Sequence, residues 1–547
     1  MRRTTGAILA SIKSIKSIAP LALLAGFAHA APPSGGTLSW GVETEPTTFN
    51  PQLNGQAKAE LLLRASFESL LARRPNGGYV PWLARSYSVS ADGKTLSFTL
   101  RDDVRFSDGQ RLDAQAVAAN FTHMRDPAYC AGSSYCGIAA RLVEGRATGP
   151  LTVALTLAEP YAPFLSFAAG LKLISPAAYA SPQLKAGGPA VAGTGPFVLA
   201  AYRKGQEADF VRNPDYRWAP ATVGHQGPAY LDRVVYRFLP ESSVRTGALL
   251  SGQVDAIEGI SGNDAALIER QSNLHYQRAL NTGSPYSLYL NTTWGPTRDV
   301  RVRRALLQAF DLDGLVGAIY RGKRVRAWGI TSPVDPLYDR TIEKAYGNDP
   351  ALANRLLDEA GWTGRDADGF RTRRDANGHT ERLTIDVVQA QATVRDQRDV
   401  LLQGLQAQAR QRLGVELTLR YVDAGTYVEA RKTGRFGAIP NSNTDTDGID
   451  TENHYLPPDR GGVINYSRAT DPRLSAWLRE AAGTRDDAAR GKLYAQLQRF
   501  AIVEQAYAIP LYQPEDEIAA SERVSGLAFR SFKQMPDAPY DVRVRPD

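Results

Sequence analysis

Gly193-Thr194-Gly195-Pro196-Phe197 is followed, fifteen residues on, by Arg212-Asn213-Pro214-Asp215-Tyr216. The first run reads as the entry to a strand and the second as a turn. Gly193 and Gly195 permit backbone angles closed to other residues, and Pro196 fixes the next one. On either side of this pair, apolar periodicity alternates between two and about 3.6 residues. Residues 95–101 place Leu96, Phe98 and Leu100 on one face, as a half-buried strand does, and 90–94 before them form a hairpin turn. Residues 151–157 and 234–239 are further strands. Asp299 caps a helix whose face carries Val302, Ala305, Leu306, Ala309 and Phe310. Asp349-Pro350 opens a second helix, with Ala353, Leu356, Leu357 and Ala360 on one side and Gly361 closing it. Residues 396–413 form a helix ending at Gly414, 471–482 one ending at Gly483, and Asp486 opens one through Phe500. Residues 363–381, rich in Gly, Asp and Arg, read as a loop or solvated hairpin. Interleaved strands and helices predict an α/β fold, with no internal repeat.

At 547 residues the chain exceeds what one core usually supports, so two or three domains are expected. Its 43% apolar and 22% charged residues are ordinary for a soluble globular protein. The formal charge is +7, but Arg2, Arg3, Lys13 and Lys16 fall in residues 1–30, which hold no acid; without those four it is +3. That excludes a basic nucleic-acid stripe. A basic start, an apolar run from Ile18 to Phe27 too short to span a bilayer, and Ala28-His29-Ala30 read as a signal peptide, residues 1–30, cleaved before Ala31. With Ala31 and no Cys directly after the cleavage point to carry a lipid, the mature chain is expected free in a Gram-negative periplasm. Cys130 and Cys136 are the only cysteines. In that oxidising compartment they are expected to form a disulfide, since a two-Cys metal site lacks nearby partners.

The chain has no G-x-S-x-G, H-E-x-x-H or G-x-G-x-x-G, and no motif calls for a cofactor. Asp92-Gly93-Lys94-Thr95 imitates the end of a phosphate loop, but Ser88 stands where the first Gly is needed, so a polar turn is the reading. His123, His225, His275, His379 and His454 do not pair at metal-ligand spacing. A hydrolase working through paired carboxylates is the enzyme class left open.

The ordered set of motifs resembles the extracytoplasmic solute-binding proteins, family 5, which feed ABC importers for peptides, nickel chelates and opines. The set comprises the opening pair, Pro46-Thr47-Thr48-Phe49-Asn50-Pro51, Phe67-Glu68-Ser69-Leu70-Leu71, Pro81-Trp82-Leu83-Ala84, the stretch from Leu100 to Gly109, and Val300-Arg301-Val302-Arg303-Arg304-Ala305-Leu306. The resemblance implies a type II periplasmic-binding-protein fold, with two lobes around a hinged ligand cleft and an extra domain packed on the first. Lobe I would be 31–64, 190–282 and 509–547, the additional domain 65–189, and lobe III 283–508. It also implies a monomer that captures a small peptide or amine-bearing solute, without chemistry, and delivers it to permease subunits in the inner membrane. A nickel or other metal chelate is the alternative, then an opine.

Gly434-Arg435-Phe436-Gly437 and Ala430-Arg431 look most like the nickel-binding branch. That branch continues with a Trp and a Tyr–Asp–Pro run; here stands Asn441-Ser442-Asn443-Thr444-Asp445-Thr446-Asp447-Gly448-Ile449-Asp450. Aligned on Asp450-Thr451-Glu452-Asn453, the Asp with which peptide-binding branches hold a ligand's α-ammonium falls on Asp447, with Asp445 as fallback. A carboxylate in a closed cleft suits an ammonium; a solvated acidic turn is the plain alternative. A calcium loop would use Asn443, Asp445, Asp447 and Gly448, but its twelfth position is His454 rather than Glu. Asn443, Asp445 and Asp447 are therefore candidate ligand contacts. Arg395 lies where dipeptide binders place a carboxylate-reading Arg, with an ordinary surface Arg as the alternative. Tyr135 is expected to face the crevice opposite Asp447, beside Ser133 and Ser134, where the nickel branch has a chelate-binding Arg.

Overall fold

A computed structural model describes residues 35–75, 77–130, 133, 135–375, 377–444, 448–530 and 536–546. Two large sheets organise it. The seven-stranded sheet has the order Leu274–Leu280, Glu515–Ser521, Ala256–Glu258, Thr37–Val42, Arg233–Phe238, Glu207–Arg212, Phe197–Arg203. The six-stranded sheet runs Val325–Arg326, Ala508–Gln513, Tyr286–Leu290, Ala438–Asn441, Thr384–Ala390, Glu416–Val422. Each sheet has one strand flanked by two parallel neighbours: Thr37–Val42 between Arg233–Phe238 and Ala256–Glu258, and Thr384–Ala390 between Glu416–Val422 and Ala438–Asn441. Connections leave such a strand toward both sides, so a crevice opens beyond its carboxyl end. A four-stranded antiparallel sheet, Ala84–Val89, Thr95–Leu100, Thr152–Leu157, Leu142–Gly149, packs with the seven-stranded sheet around one continuous core. A second core fills the six-stranded body.

The sequence pattern forms these elements for local reasons. Thr95–Leu100 buries Leu96, Phe98 and Leu100 while its other face stays wetter. Asp299, Asp349, Asp471 and Asp486 each accept a first-turn amide of the helix they precede. Of two further expectations, the hairpin alternative for 363–381 holds and the helix start at Asp396 needs correction. Residues 363–381 lie within a three-stranded antiparallel sheet, Gly364–Arg365, Arg371–Arg374 and Thr380–Arg382, held by ion pairs from Arg382 to Asp366 and Asp368. The helix expected from Asp396 begins later, at Arg398–Leu413, because Asp396 and Gln397 are left-handed, each with φ of 53°. Cys130 and Cys136 are disulfide-bonded, with Cα atoms 5.4 Å apart.

The opening motif closes on one residue. Glu68 is 1% exposed; its Oε1 accepts from Tyr216 Oη at 2.6 Å, and its Oε2 from Thr194 Oγ1 and Trp218 Nε1, both at 2.9 Å. Gly195 N donates to Ser66 O at 2.9 Å, and a Cβ at Gly193 or Gly195 would collide with the backbone of Ala65 and Ser66. The glycines are needed because two backbones touch there. Burial pushes the Glu68 carboxyl up to about 8, outweighing its three donors. The folded state thus holds a proton that the unfolded chain, near the ordinary value of 4.5, releases. Stability from this proton is complete below that ordinary value and is lost as pH rises through about 8.

Glu68→Ala, which strands the buried hydroxyls of Tyr216 and Thr194 and leaves Trp218 Nε1 only the Thr194 carbonyl, is expected to lower the unfolding free energy by about 3–5 kcal/mol in urea denaturation. Glu68→Gln should flatten the alkaline decline of stability seen in the wild type.

Candidate functional site

Two segments pass directly from one large sheet to the other: residues 281–285, between Leu274–Leu280 and Tyr286–Leu290, and Pro514, between Ala508–Gln513 and Glu515–Ser521. They are cross-linked. Asn281 N donates to Pro514 O at 3.0 Å, and Gln513 Nε2 to Asn281 O at 2.8 Å. Paired short connections of this kind make a hinge. Beside it, the carboxyl ends of the two switch-point strands meet, and charged residues gather on both walls.

On the seven-stranded wall, Lys58 Nζ reaches Asp516 Oδ1 at 2.5 Å and Glu258 Oε2 at 3.3 Å. Glu43, the first residue after Thr37–Val42, donates its amide to Glu258 Oε1 at 2.7 Å. Burial, then the charge of Glu258, pushes the Glu43 carboxyl up. On the six-stranded wall, Arg324 grips Glu517 through Nη1 at 2.7 Å and Nη2 at 3.0 Å, and reaches Asp396 Oδ1 at 3.3 Å. Arg398 is committed: Nε donates to Tyr512 Oη at 3.1 Å, Nη2 donates to Ser442 Oγ at 3.0 Å, and its guanidinium carbon lies 4.2 Å from the Tyr286 ring centroid. Tyr512 Oη in turn approaches Asp396 Oδ2 at 3.3 Å, and Tyr320 Oη donates to Asp396 O at 2.8 Å. Burial pushes the Asp396 carboxyl up, but Arg324, Arg398, Lys58 and Arg395 together hold it well below its ordinary value.

Arg395 lies in this cleft, in the segment that follows Thr384–Ala390. It is half-buried, and its guanidinium makes no hydrogen bond or ion pair with a described residue. The neighbouring Arg398, then burial, lowers its pKa. A cation penalised by another cation and left without a partner favours an incoming anion. Asn443 follows Ala438–Asn441, its amide donating to Ser284 Oγ of the hinge at 2.9 Å. The structure therefore brings Arg395 and Asn443 to the carboxyl ends of adjacent parallel strands. Asp445 and Asp447 lie outside the described residues. Tyr135 is set elsewhere: its ring lies 5.5 Å from that of Phe167, and it lines a cavity of about 190 Å³ with Phe67, Trp82, Tyr216 and Tyr540. Glu43, Lys58, Asp396 and Arg398 were not singled out from the sequence. The one available signal was their position next to strand ends and family motifs.

The bodies also meet at the cleft's outer edge. Glu452, on the helix Ile449–Tyr455, accepts from Tyr161 Oη at 2.8 Å and pairs with Arg141 at 3.3 Å, and Arg141 lies 4.0 Å above the Tyr161 ring. Ala162 N donates to Ala482 O at 2.7 Å, and Arg485 Nη2 to Ser90 O at 2.6 Å. Ile449 and Ala482 join the core of the opposite body. The structure is a closed one.

Residues 78–462 match the model of the bacterial extracellular solute-binding proteins, family 5. The chain belongs to this family. It is 28% identical over 494 residues to the nickel-binding periplasmic protein of Escherichia coli K12, covering 87% of this chain and 88% of that one. It is 26% identical over 547 residues to a probable di/tripeptide-binding protein 5 of Pseudomonas aeruginosa, covering 94% and 96%. Among solved structures, NikA of Brucella suis in complex with Fe(III)-EDTA matches with a TM-score of 0.80 at 23% identity, covering 93% of this chain and all of that one. DppA of Helicobacter pylori in complex with the peptide STSA matches with a TM-score of 0.77 at 21% identity, covering 94% and 99%. At these identities the likeness is one of fold, the type II periplasmic-binding-protein fold expected from the sequence.

Burial, opposed by Arg141 and the Tyr161 hydroxyl, pushes the Glu452 carboxyl up to about 7; Arg490 lowers it and Glu159 raises it further. Opening exposes Glu452 and returns it toward 4.5, so closing takes up a proton and is favoured as pH falls between those values. Small-angle scattering on the ligand-free protein should show a smaller radius of gyration at pH about 5.5 than at about 8. In Glu452→Gln, which stays neutral, this dependence should vanish.

Proposed function

We propose that this family-5 protein is the periplasmic solute-binding component of an ABC importer. It captures a small peptide or amine-bearing, peptide-like solute in the hinged cleft and presents it to membrane permease subunits. The observation that carries the reading is Arg395: a half-buried guanidinium with no hydrogen bond or ion pair among the described residues, in a closed cleft. A carboxylate there forms a charge-assisted contact in a site from which closure removes water. Asp447, with Asp445 as the fallback, receives the ligand's α-ammonium, and Asn443 supports the same end.

The division proposed with this reading is lobe I at 31–64, 190–282 and 509–547, the additional domain at 65–189, and lobe III at 283–508, in a monomer exported by cleavage before Ala31. The di/tripeptide relative supports the peptide class. The nickel-binding relative of E. coli favours a second reading, a metal chelate.

Native mass spectrometry of protein taken from periplasm without refolding separates the two. A spread of peptide masses is expected, and a single metal-containing mass would replace the peptide reading with the chelate. Arg395→Met should weaken alanyl-alanine binding, measured by titration calorimetry, by about 2–3 kcal/mol, and Asp447→Asn by about 2–4 kcal/mol. Unchanged affinity would remove the residue concerned from the site.

A further inference from the structure

The cleft walls carry opposite imbalances of charge. On the seven-stranded wall, one lysine serves three acids. Lys58 bonds Asp516 and Glu258, and the Glu258 Oε1 that it leaves accepts the Glu43 amide. The Glu43 carboxylate itself has no hydrogen bond or ion pair with a described residue. Asp516, 2% exposed, also keeps Oδ2 without a donor. The nearby Arg245 cannot supply the missing charge. It is 1% exposed and spends its donors on the carbonyls of Leu239, Pro240, Glu258 and Gly259. On the opposite wall three arginines, 324, 395 and 398, act on Asp396, and Arg395 is the one with no hydrogen bond or ion pair among the described residues.

Position adds to charge. Glu43 follows the switch-point strand Thr37–Val42, and Arg395 lies beyond the end of the switch-point strand Thr384–Ala390. Residues at such ends line the crevice that a ligand enters. Glu43 and Arg395 act on each other electrostatically but form no ion pair. Glu43 and Arg395, each without a hydrogen bond or ion pair to a described residue, thus stand beyond the carboxyl ends of the two switch-point strands.

We infer that Glu43 is a ligand-contacting residue that receives a cationic group of the solute, so that the solute class is a small peptide or peptide-like amine with a basic side chain. This rests on the reading of the cleft as a peptide-type site with the carboxylate at Arg395. With Asp447 taking the α-ammonium, Glu43 takes a second cation, a lysyl-type ammonium or an arginyl-type guanidinium. Such a solute supplies the positive charge that the seven-stranded wall lacks, and its carboxylate supplies the negative charge that Arg395 lacks. A neutral dipeptide supplies the second and leaves the first unmet.

The test is titration calorimetry of alanyl-arginine, alanyl-lysine and alanyl-alanine against the full mature chain, wild type and Glu43→Gln, with Glu43→Asp as the charge-preserving control. The wild type is expected to prefer the basic dipeptides by about tenfold or more. Glu43→Gln should lose that preference, and Glu43→Asp should keep part of it. Thermal melting of each variant identifies any loss of affinity that comes from misfolding. Equal affinity of the wild type for all three dipeptides, or an undiminished preference in a folded Glu43→Gln, overturns the inference while leaving the peptide reading intact. Binding of none of the three by the wild type overturns the peptide reading and, with it, this one.

Discussion

The buried carboxyl of Glu68 is the point on which the arrangement of the first half of the chain depends. Three donors from two distant segments converge on it, and none has another acidic partner there. Thr194 belongs to the glycine-bearing crossover, and Tyr216 and Trp218 to the turn that follows. These contacts hold the start of the four-stranded domain against the seven-stranded sheet. Apolar packing could join the same surfaces, but it would not fix their register. A carboxyl that must satisfy three donors at 2.6–2.9 Å permits very little sliding. The cost is a proton retained to about pH 8, a cost the site bears because burial rather than charge pairing dominates.

From that fixed body the chain makes its cleft by topology. Each large sheet contains one strand with parallel neighbours on both sides, and the carboxyl ends of the two strands are brought together by a hinge of two cross-linked segments. Parallel strands end together, so loops that are far apart in sequence, after residues 42, 258, 390 and 441, share one space. Most charges entering that space are consumed by one another. Arg324 pairs with Glu517 and Asp396, Lys58 pairs with Asp516 and Glu258, and Arg398 binds Tyr512 and Ser442. This inner scaffold keeps the few uncommitted groups in place.

Sequence reasoning reached the parts of this design that are local. Aspartate caps, the strand alternation at 95–100 and the paired glycines of the crossover are each specified within a few residues, and the structure has all of them. It failed where the cause is distant. The helix expected from Asp396 starts at Arg398, because Asp396 is drawn away by Arg324, Tyr320 and Tyr512. Two non-glycine residues are held left-handed as a result. No short-range pattern contains that information. Segment 363–381 reads from sequence as either a loop or a solvated hairpin because its strands are too short to show periodicity and are held by ion pairs on an exposed surface. Motif order alone places Tyr135 at the cleft, and its neighbours in the structure are Phe67, Trp82, Phe167, Tyr216 and Tyr540. Arg395 could be proposed from the sequence because it sits beside a helix start in a recognisable place. Glu43 was not, since one Glu in Val42-Glu43-Thr44-Glu45 differs from the other only by what faces it after folding.

The closed form has a physical requirement that links these observations. Bringing the walls together removes water from Arg395 and Glu43, and neither has a partner within the described chain to replace that water. Closure without a solute therefore carries a desolvation cost at both residues, which the edge contacts, Glu452 with Arg141 and Tyr161, Ala162 with Ala482 and Arg485 with Ser90, work against. A solute that presents opposite charges at matching positions removes the cost instead of merely adding contacts. It makes closing favourable in proportion to how well its charges are placed, so selectivity and conformational change draw on the same free energy. Solutes of the right size but the wrong charge would fill the cleft and leave it strained toward opening. In this way a solute-binding protein couples recognition of charge to closure of its cleft.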